Sequence, residues 1–240
     1  MLEIKDLSVE VEGKDILKEV NLKIEDGESC VLFGPNGSGK STLIQAIAGN
    51  PNYRVTEGAI FFNGNDITEM AADERVKAGI GVVFQQPPSV RGVKLLDLLK
   101  HIHSDESRIK SVASELNMSQ FLERDVNLGF SGGELKRSEM LQLLLMEPRL
   151  SLFDEPDSGV DVENLELIGK AINALLKREK PRVRKASGLI ITHLGSIMEY
   201  VLVDRGFIML DGTIVCSGNP QELLESIKEQ GYEECVRCRQ

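Results

Sequence analysis

Ser29-Cys-Val-Leu-Phe-Gly34-Pro-Asn-Gly-Ser-Gly39-Lys40-Ser41-Thr42-Leu-Ile-Gln-Ala-Ile-Ala48 reads as a short apolar strand, a glycine-rich loop and a helix in direct succession. The apolar run at 29–33 has the form of a buried parallel strand. The loop fits G-x4-G-K-[ST] in full, and a helix is expected over about 41–48, ending at Gly49-Asn50-Pro51. Glycines let the backbone curl so that successive N–H groups face one point, and the helix N-terminus adds positive potential there. Such a loop cradles phosphates. Gly34, Pro35, Asn36, Gly37, Ser38, Gly39 and Thr42 supply its backbone, Lys40 reaches the β- and γ-phosphates, and the Ser41 hydroxyl is placed for Mg²⁺. The predicted ligand is Mg-ATP.

Working outward, strands are expected over 2–10 and 20–24, a hairpin around Asn63-Gly64, and short strands at 81–84, 150–153 and 189–192. A last hairpin, 201–210 with 213–216, turns at Asp211-Gly212, and Pro220 opens a closing helix over 220–230. Helices are also expected over 133–146 and 162–177. Strands alternating with helices predict a mainly parallel sheet covered on both faces. Between Pro88 and Phe130 the leucines take helical spacing, so a helical subdomain is expected as an insertion. The chain then reads as one unit over 1–240, with 1–84 and 147–240 as the α/β core and 85–146 as the helical subdomain.

Composition narrows the partners. The 240 residues are 41% apolar and 28% charged, with a net charge of −10. An acidic balance argues against a nucleic-acid clamp, which needs clustered Lys and Arg. No apolar run approaches the roughly 18 residues of a membrane span, and the N-terminus lacks a signal peptide's apolar centre, so a cytoplasmic protein without membrane insertion is expected. Four cysteines do not make a disulfide scaffold. Cys30 reads as a buried reduced thiol, and the Cys235-x-x-Cys238 pair and the basic run at 177–185 read first as exposed tail and solvated loop. His101 and His103 read as surface residues, since no second ligand pair stands beside them.

Two further stretches carry chemistry. Leu150-Ser-Leu-Phe-Asp154-Glu155 is a strand ending in two carboxylates. Asp154 is placed to hold Mg²⁺, and Glu155 to orient the attacking water as general base. Ser151 within that strand is expected to make a local hydrogen bond. In Phe130-Ser131-Gly132-Gly133-Glu134, Ser131 caps a helix whose first turn exposes backbone N–H groups. This is a second phosphate site on a chain that already has one, so it is expected to serve the nucleotide of a partner copy.

With these motifs in this order the sequence resembles the ATP-binding cassette ATPases over nearly its whole length. The resemblance implies an α/β P-loop core in three layers, with an N-terminal antiparallel β subdomain and an inserted α-helical subdomain. It implies that Gln85 senses Mg²⁺ and couples to a partner, that Ser131 to Glu134 act in trans, and that Asp161 belongs to the same dimer contact. It also implies that His193 contacts the γ-phosphate, making Glu155, His193 and Gln85 the catalytic set. Phe130 and Glu134 replace the family's usual Leu and Gln. The family stacks adenine on an aromatic in the first strand pair, whereas this chain has no aromatic before Phe33 and offers Val11 there.

The narrower likeness is to the SufC-type ATPases of iron–sulfur cluster assembly. It rests on Phe84-Gln-Gln-Pro87 with Arg91-Gly-Val93, on Ser131 to Glu134 with Lys136-Arg137, on Asp157-Ser-Gly-Val-Asp161, and on Ile227-Lys-Glu-Gln-Gly-Tyr232. Pro156 follows the transporter pattern instead. The implied partners are a second copy of the chain and soluble SufB/SufD-like scaffold proteins. The alternatives are the ATPase subunit of a membrane transporter and an ATP-gated clamp without turnover.

Overall fold

The structure, a computed structural model, describes residues 1–176, 186–193 and 195–232. Two sheets carry the fold. The first is antiparallel in the order β2-β1-β4-β5, from β1 (Leu2–Val11), β2 (Lys14–Ile24), β4 (Arg54–Phe62) and β5 (Asn65–Asp66). The second runs β10-β9-β3-β8-β7-β6, from β3 (Ser29–Phe33), β6 (Ile80–Val83), β7 (Leu150–Asp154), β8 (Ser187–Ile191), β9 (Arg205–Leu210) and β10 (Thr213–Gly218). All neighbours in it are parallel except β10 on β9, which form the terminal hairpin. The expected core, antiparallel subdomain and helical region are all present. Strand β3 is buried at every position, because it lies between β9 and β8 with both faces covered.

The helices are α1 (Lys40–Ala48), α2 (Ala72–Ala78), α3 (Leu95–Ile102), α4 (Glu106–Glu115), α5 (Gly132–Met146), α6 (Val162–Leu175) and α7 (Pro220–Gln230). One face of the parallel sheet (Cys30, Leu32, Leu152, Leu189) packs with α1 and the antiparallel sheet. The other face (Val83, Phe153, Ile190) packs with α3 to α6, so the helical region shares its core with the sheet. Burial pushes the Cys30 thiol up to about 12, as suits an inert core cysteine.

Four expectations need correction. Strand β2 begins at Lys14, because Asp6 and Glu19 take positive φ (47° and 48°) and absorb register shifts that break the alternation. The strand expected from Val201 begins only at Arg205. Residues 196–199 form a 3₁₀ turn, and Asp204 instead fastens to the start of β3, its carboxylate accepting from Ser29 N at 2.9 Å. The Ser151 hydroxyl, buried within β7, has no hydrogen-bond partner among the described residues. Helix α2 was not expected at all. The sites at 177–185, Cys235 and Cys238 lie outside the described residues.

Tertiary contact holds α2 in place. Arg75, 2% exposed, donates from Nη1 to the carbonyls of Ala46 and Ile47 (2.7 and 2.9 Å), from Nε to Met70 O and from Nη2 to Thr68 O. The guanidinium thus caps the C-terminus of α1, whose other end carries the phosphate loop. An Arg75→Ala change leaves these buried carbonyls short of donors. Urea unfolding is expected to register a loss of about 3 kcal/mol, and a loss below about 1 kcal/mol would refute the capping role.

Candidate functional site

Parallel strands place their C-terminal ends at one edge, and four of them deliver the site there. Gly34 follows β3, Gln85 follows β6, Glu155 follows β7 and His193 follows β8. Gly34 packs so closely that a Cβ would lie 2.4 Å from Met209 O, and Gly39 caps α1 at φ 105°. Neither position accepts a larger side chain without rearrangement.

Inside the loop, Lys40 Nζ donates to the carbonyls of Gly34 and Pro35 at 2.7 and 2.8 Å. Burial lowers its pKa, and the carboxylates of Glu155 and Asp154 oppose that shift. Ser41 Oγ lies 3.0 Å from Asp154 Oδ1. Burial raises the pKa of Asp154, while the Ser41 hydrogen bond draws it back. Gln85 Nε2 donates to Glu155 Oε2 at 2.9 Å, and His193 Nε2 lies 3.2 Å from Glu155 Oε1. Glu155 therefore has a neighbour on each oxygen. It sits at φ 49°, an unfavourable conformation for a side chain with a Cβ, and its N–H is fixed on Ile191 O. The donors around Ser41, Asp154 and Gln85 are hydroxyl, carboxylate and amide oxygens, the hard set that suits Mg²⁺.

Ser131, Gly132, Gly133, Glu134 and Asp161 form a second group. Ser131 N donates to Glu134 Oε2 at 2.7 Å and Ser131 Oγ accepts from Glu134 N, so the Glu in place of the usual Gln completes a capping box. A Cβ on Gly132 would lie 2.8 Å from Gly159 O, and one on Gly133 would lie 2.8 Å from Asn164. Asn164 is in turn held by the Asp161 carboxylate, which caps α6. The two motifs thus form one surface, with Ser131, Gly132 and Asp161 exposed on it.

Three residues here were missed by the sequence reading. Ile16, not Val11, lines the cavity at the phosphate loop; Val11 ends β1 opposite Lys14 and packs on the same core cluster. The break in alternation around Glu19 hid the extent of β2, and with it Ile16. Lys136 Nζ donates to the carbonyls of Phe84 (2.5 Å) and Gln85 (3.2 Å), and Glu139 Oε1 accepts from Phe84 N at 2.8 Å. Helix α5 therefore grips the backbone that carries Gln85. A Lys and a Glu three apart on an otherwise apolar helical face were the available signal.

Burial pushes the Glu139 carboxyl up from 4.5 to about 7. A carboxyl whose folded pKa is raised favours folding below the unfolded pKa, and that contribution is lost as pH rises through the folded one. Glu139→Gln keeps an acceptor for Phe84 N and removes the ionisation. The variant's stability relative to wild type is expected to improve between pH 5 and pH 8, by up to about 3 kcal/mol. Parallel curves for the two proteins would show that the shift is absent.

The profile of the ABC transporter family matches residues 17–158. "Vegetative protein 296" of Bacillus subtilis (strain 168) is 42% identical over 97% of this chain and 92% of its own length. A "Probable ATP-dependent transporter" of Synechocystis sp. (strain PCC 6803) is 39% identical, over 97% and 94% respectively. Among solved structures, a nucleotide-free ATP-binding cassette from an ABC transporter superposes with TM-score 0.80 at 24% identity, covering 98% of each chain. A dimeric ATP-binding cassette bound to ADP and Pi superposes with TM-score 0.75 at 24% identity, over 91% of this chain and 98% of that one.

Proposed function

The chain belongs to the ATP-binding cassette ATPases of the ABC transporter family, and we propose that within it the protein powers an iron–sulfur cluster assembly complex. As a member it is an ATP-binding, ATP-hydrolysing subunit of a kind that dimerises around nucleotide. In the proposed cycle two copies close head to tail on ATP, and the closure moves SufB/SufD-like scaffold proteins to permit cluster building or release. The observation that carries the ATPase assignment is Glu155 held between Gln85 and His193 at the mouth of the phosphate loop.

Each residue then has a task. The backbone of Gly34 to Thr42 holds the phosphates, and Lys40 turns from the loop carbonyls to the β- and γ-oxygens. Mg²⁺, when bound, neutralises phosphate charge, and Ser41, Asp154 and Gln85 are the residues that hold it. Glu155 orients and deprotonates the attacking water, while His193 faces the γ-phosphate. Ser131 to Glu134 and Asp161 close the site from the other copy. Ile16 gives the adenine apolar contact only.

The cluster-assembly reading is supported by the four stretches that resemble SufC-type chains. One of them contains Lys136, which ties α5 to the coupling loop at Gln85. The second reading, a membrane transporter's ATPase, is favoured by Pro156 and by the names of relatives such as the Synechocystis protein. Among the described residues no helix is long and apolar enough to cross a membrane. The test is a pull-down of tagged protein from its native extract, with mass spectrometry and iron and sulfide assays. A soluble scaffold supports the first reading; a multi-helix permease overturns it and leaves the ATPase chemistry intact.

A further inference from the structure

Helix α7 lines no part of the cavity at the phosphate loop, yet the chain at its end reaches His193. Leu223, Leu224 and Ile227 of α7, and Tyr232 after it, pack on Val31, Phe33 and Ile208. Phe33 ends β3 and is followed directly by Gly34, so α7 rests on the strand that delivers the phosphate loop. The helix stops at Gly231, whose N–H donates to Ile227 O at 3.0 Å and whose backbone (φ 76°, ψ 177°) is open to glycine almost alone. Beyond that turn the Tyr232 hydroxyl donates to the carbonyl of His193 at 3.3 Å. A second contact lies two residues further along the other chain segment. Gly195 takes φ 68° against α7, where a Cβ would lie 2.7 Å from Leu224 Cδ1. From the sheet side Thr192 is buried, and its hydroxyl donates to Asp157 Oδ2 at 2.7 Å and accepts from Gly195 N at 3.1 Å. The turn around His193 is thus fastened to the sheet at Thr192 and lies against α7 at Gly195, while Tyr232 holds the backbone at His193 itself.

We propose that Tyr232 is a positioning residue for ATP hydrolysis: its hydroxyl aims His193, and α7 is the strut that carries it. The inference rests on the reading that His193 faces the γ-phosphate. A peptide unit is planar, so a bond to the His193 carbonyl orients the whole unit that contains the His193 Cα. The imidazole leaves from that Cα, with Nε2 3.2 Å from Glu155 Oε1. The ring of Tyr232 meets the apolar cluster, and the hydroxyl is the part that reaches the turn at His193. Hydrolysis depends on how well His193 meets the γ-phosphate, a group that ADP lacks. Loss of the Tyr232 bond therefore falls on ATP turnover and spares ADP binding, which rests on the phosphate loop. One neutral hydrogen bond lost from such a device corresponds to about fivefold in rate.

The test compares Tyr232→Phe, Tyr232→Ala and His193→Ala in the full chain. Turnover is read by phosphate release, ADP affinity by titration calorimetry and folding by melting temperature. Tyr232→Phe keeps the ring and removes only the bond. It is expected to lower kcat about fivefold and to leave the KM for ATP, the ADP affinity and the melting temperature unchanged. Tyr232→Ala, which loses the ring as well, should be at least as slow. Full turnover by Tyr232→Phe would overturn the inference even beside a slow Tyr232→Ala, because packing alone would then be the role of the residue. A fall in ADP affinity or in melting temperature that accompanied the slower Tyr232→Phe would overturn it too, since a general structural role would account for the rate. His193→Ala separates this inference from the reading beneath it. Full turnover there would remove His193 from the site, and the inference with it. A slow His193→Ala beside a fully active Tyr232→Phe would remove the inference alone.

Discussion

Glu155→Gln is expected to lower ATP turnover by at least about a hundredfold while leaving ATP affinity near its original value. The reason lies in the two contacts on that side chain. One oxygen accepts from Gln85 Nε2 and the other faces His193 Nε2. A glutamine of the same shape can keep its oxygen toward Gln85 and turn its NH₂ toward His193, given the appropriate imidazole tautomer. Geometry and packing therefore survive, and the change removes the carboxylate's capacity to take a proton from water. The backbone at φ 49° is unaffected, since both side chains meet the same left-handed conformation. With hydrolysis blocked and binding intact, the closed dimer should accumulate, and size-exclusion chromatography in ATP should show it. Turnover near the original rate, measured by phosphate release, would remove Glu155 from the role of base. A large drop in melting temperature would mean that the loss reports on folding and not on chemistry.

The sequence made the P-loop, the strand ends and the helix caps legible because each depends on neighbouring residues. Gly34 to Thr42, Asp154-Glu155 and Ser131 to Glu134 are local devices, and their backbone geometry follows from residues within a turn or two. What was hidden depends on contacts distant in sequence. Helix α2 is short and mostly polar, and is stabilised by an arginine that reaches back to residues 46 and 47. The early strand 201–204 was misread because Val201 looks like the start of an apolar run, although Asp204 has to reach Ser29. Ile16 at the phosphate loop was masked by two positive-φ residues that shift the hairpin's register. Lys136 and Glu139 are both nearly buried and serve the backbone at residues 84 and 85. Electrostatic staples of this kind leave no periodic signature.

Ser131→Arg is expected to leave nucleotide binding by the single chain intact and to abolish ATP-dependent dimerisation and turnover. Ser131 is exposed on the surface shared by Gly132, Gly159, Gly133, Asn164 and Asp161, and it does not line the cavity at the phosphate loop of its own chain. Losing the Ser131 cap costs only about 1 kcal/mol of helix stability, too little to explain inactivity. A long cation in its place would occupy the space that the partner copy's phosphates must enter. Lys40→Ala, by contrast, removes the ammonium from the phosphate loop and should abolish nucleotide binding by its own chain. Each variant alone is therefore expected to be inactive. A dimer of one with the other pairs an intact phosphate loop with an intact Ser131 surface at one of its two sites. The remaining site lacks both, and without nucleotide there the arginine has nothing to obstruct. Mixing the two variants should restore activity, to at most about a quarter of the original rate if partners pair at random and sites act independently. Failure of the mixture to hydrolyse ATP would mean that Ser131 to Glu134 do not serve the partner's nucleotide. Full activity of Ser131→Arg alone would mean that the site is complete within one chain.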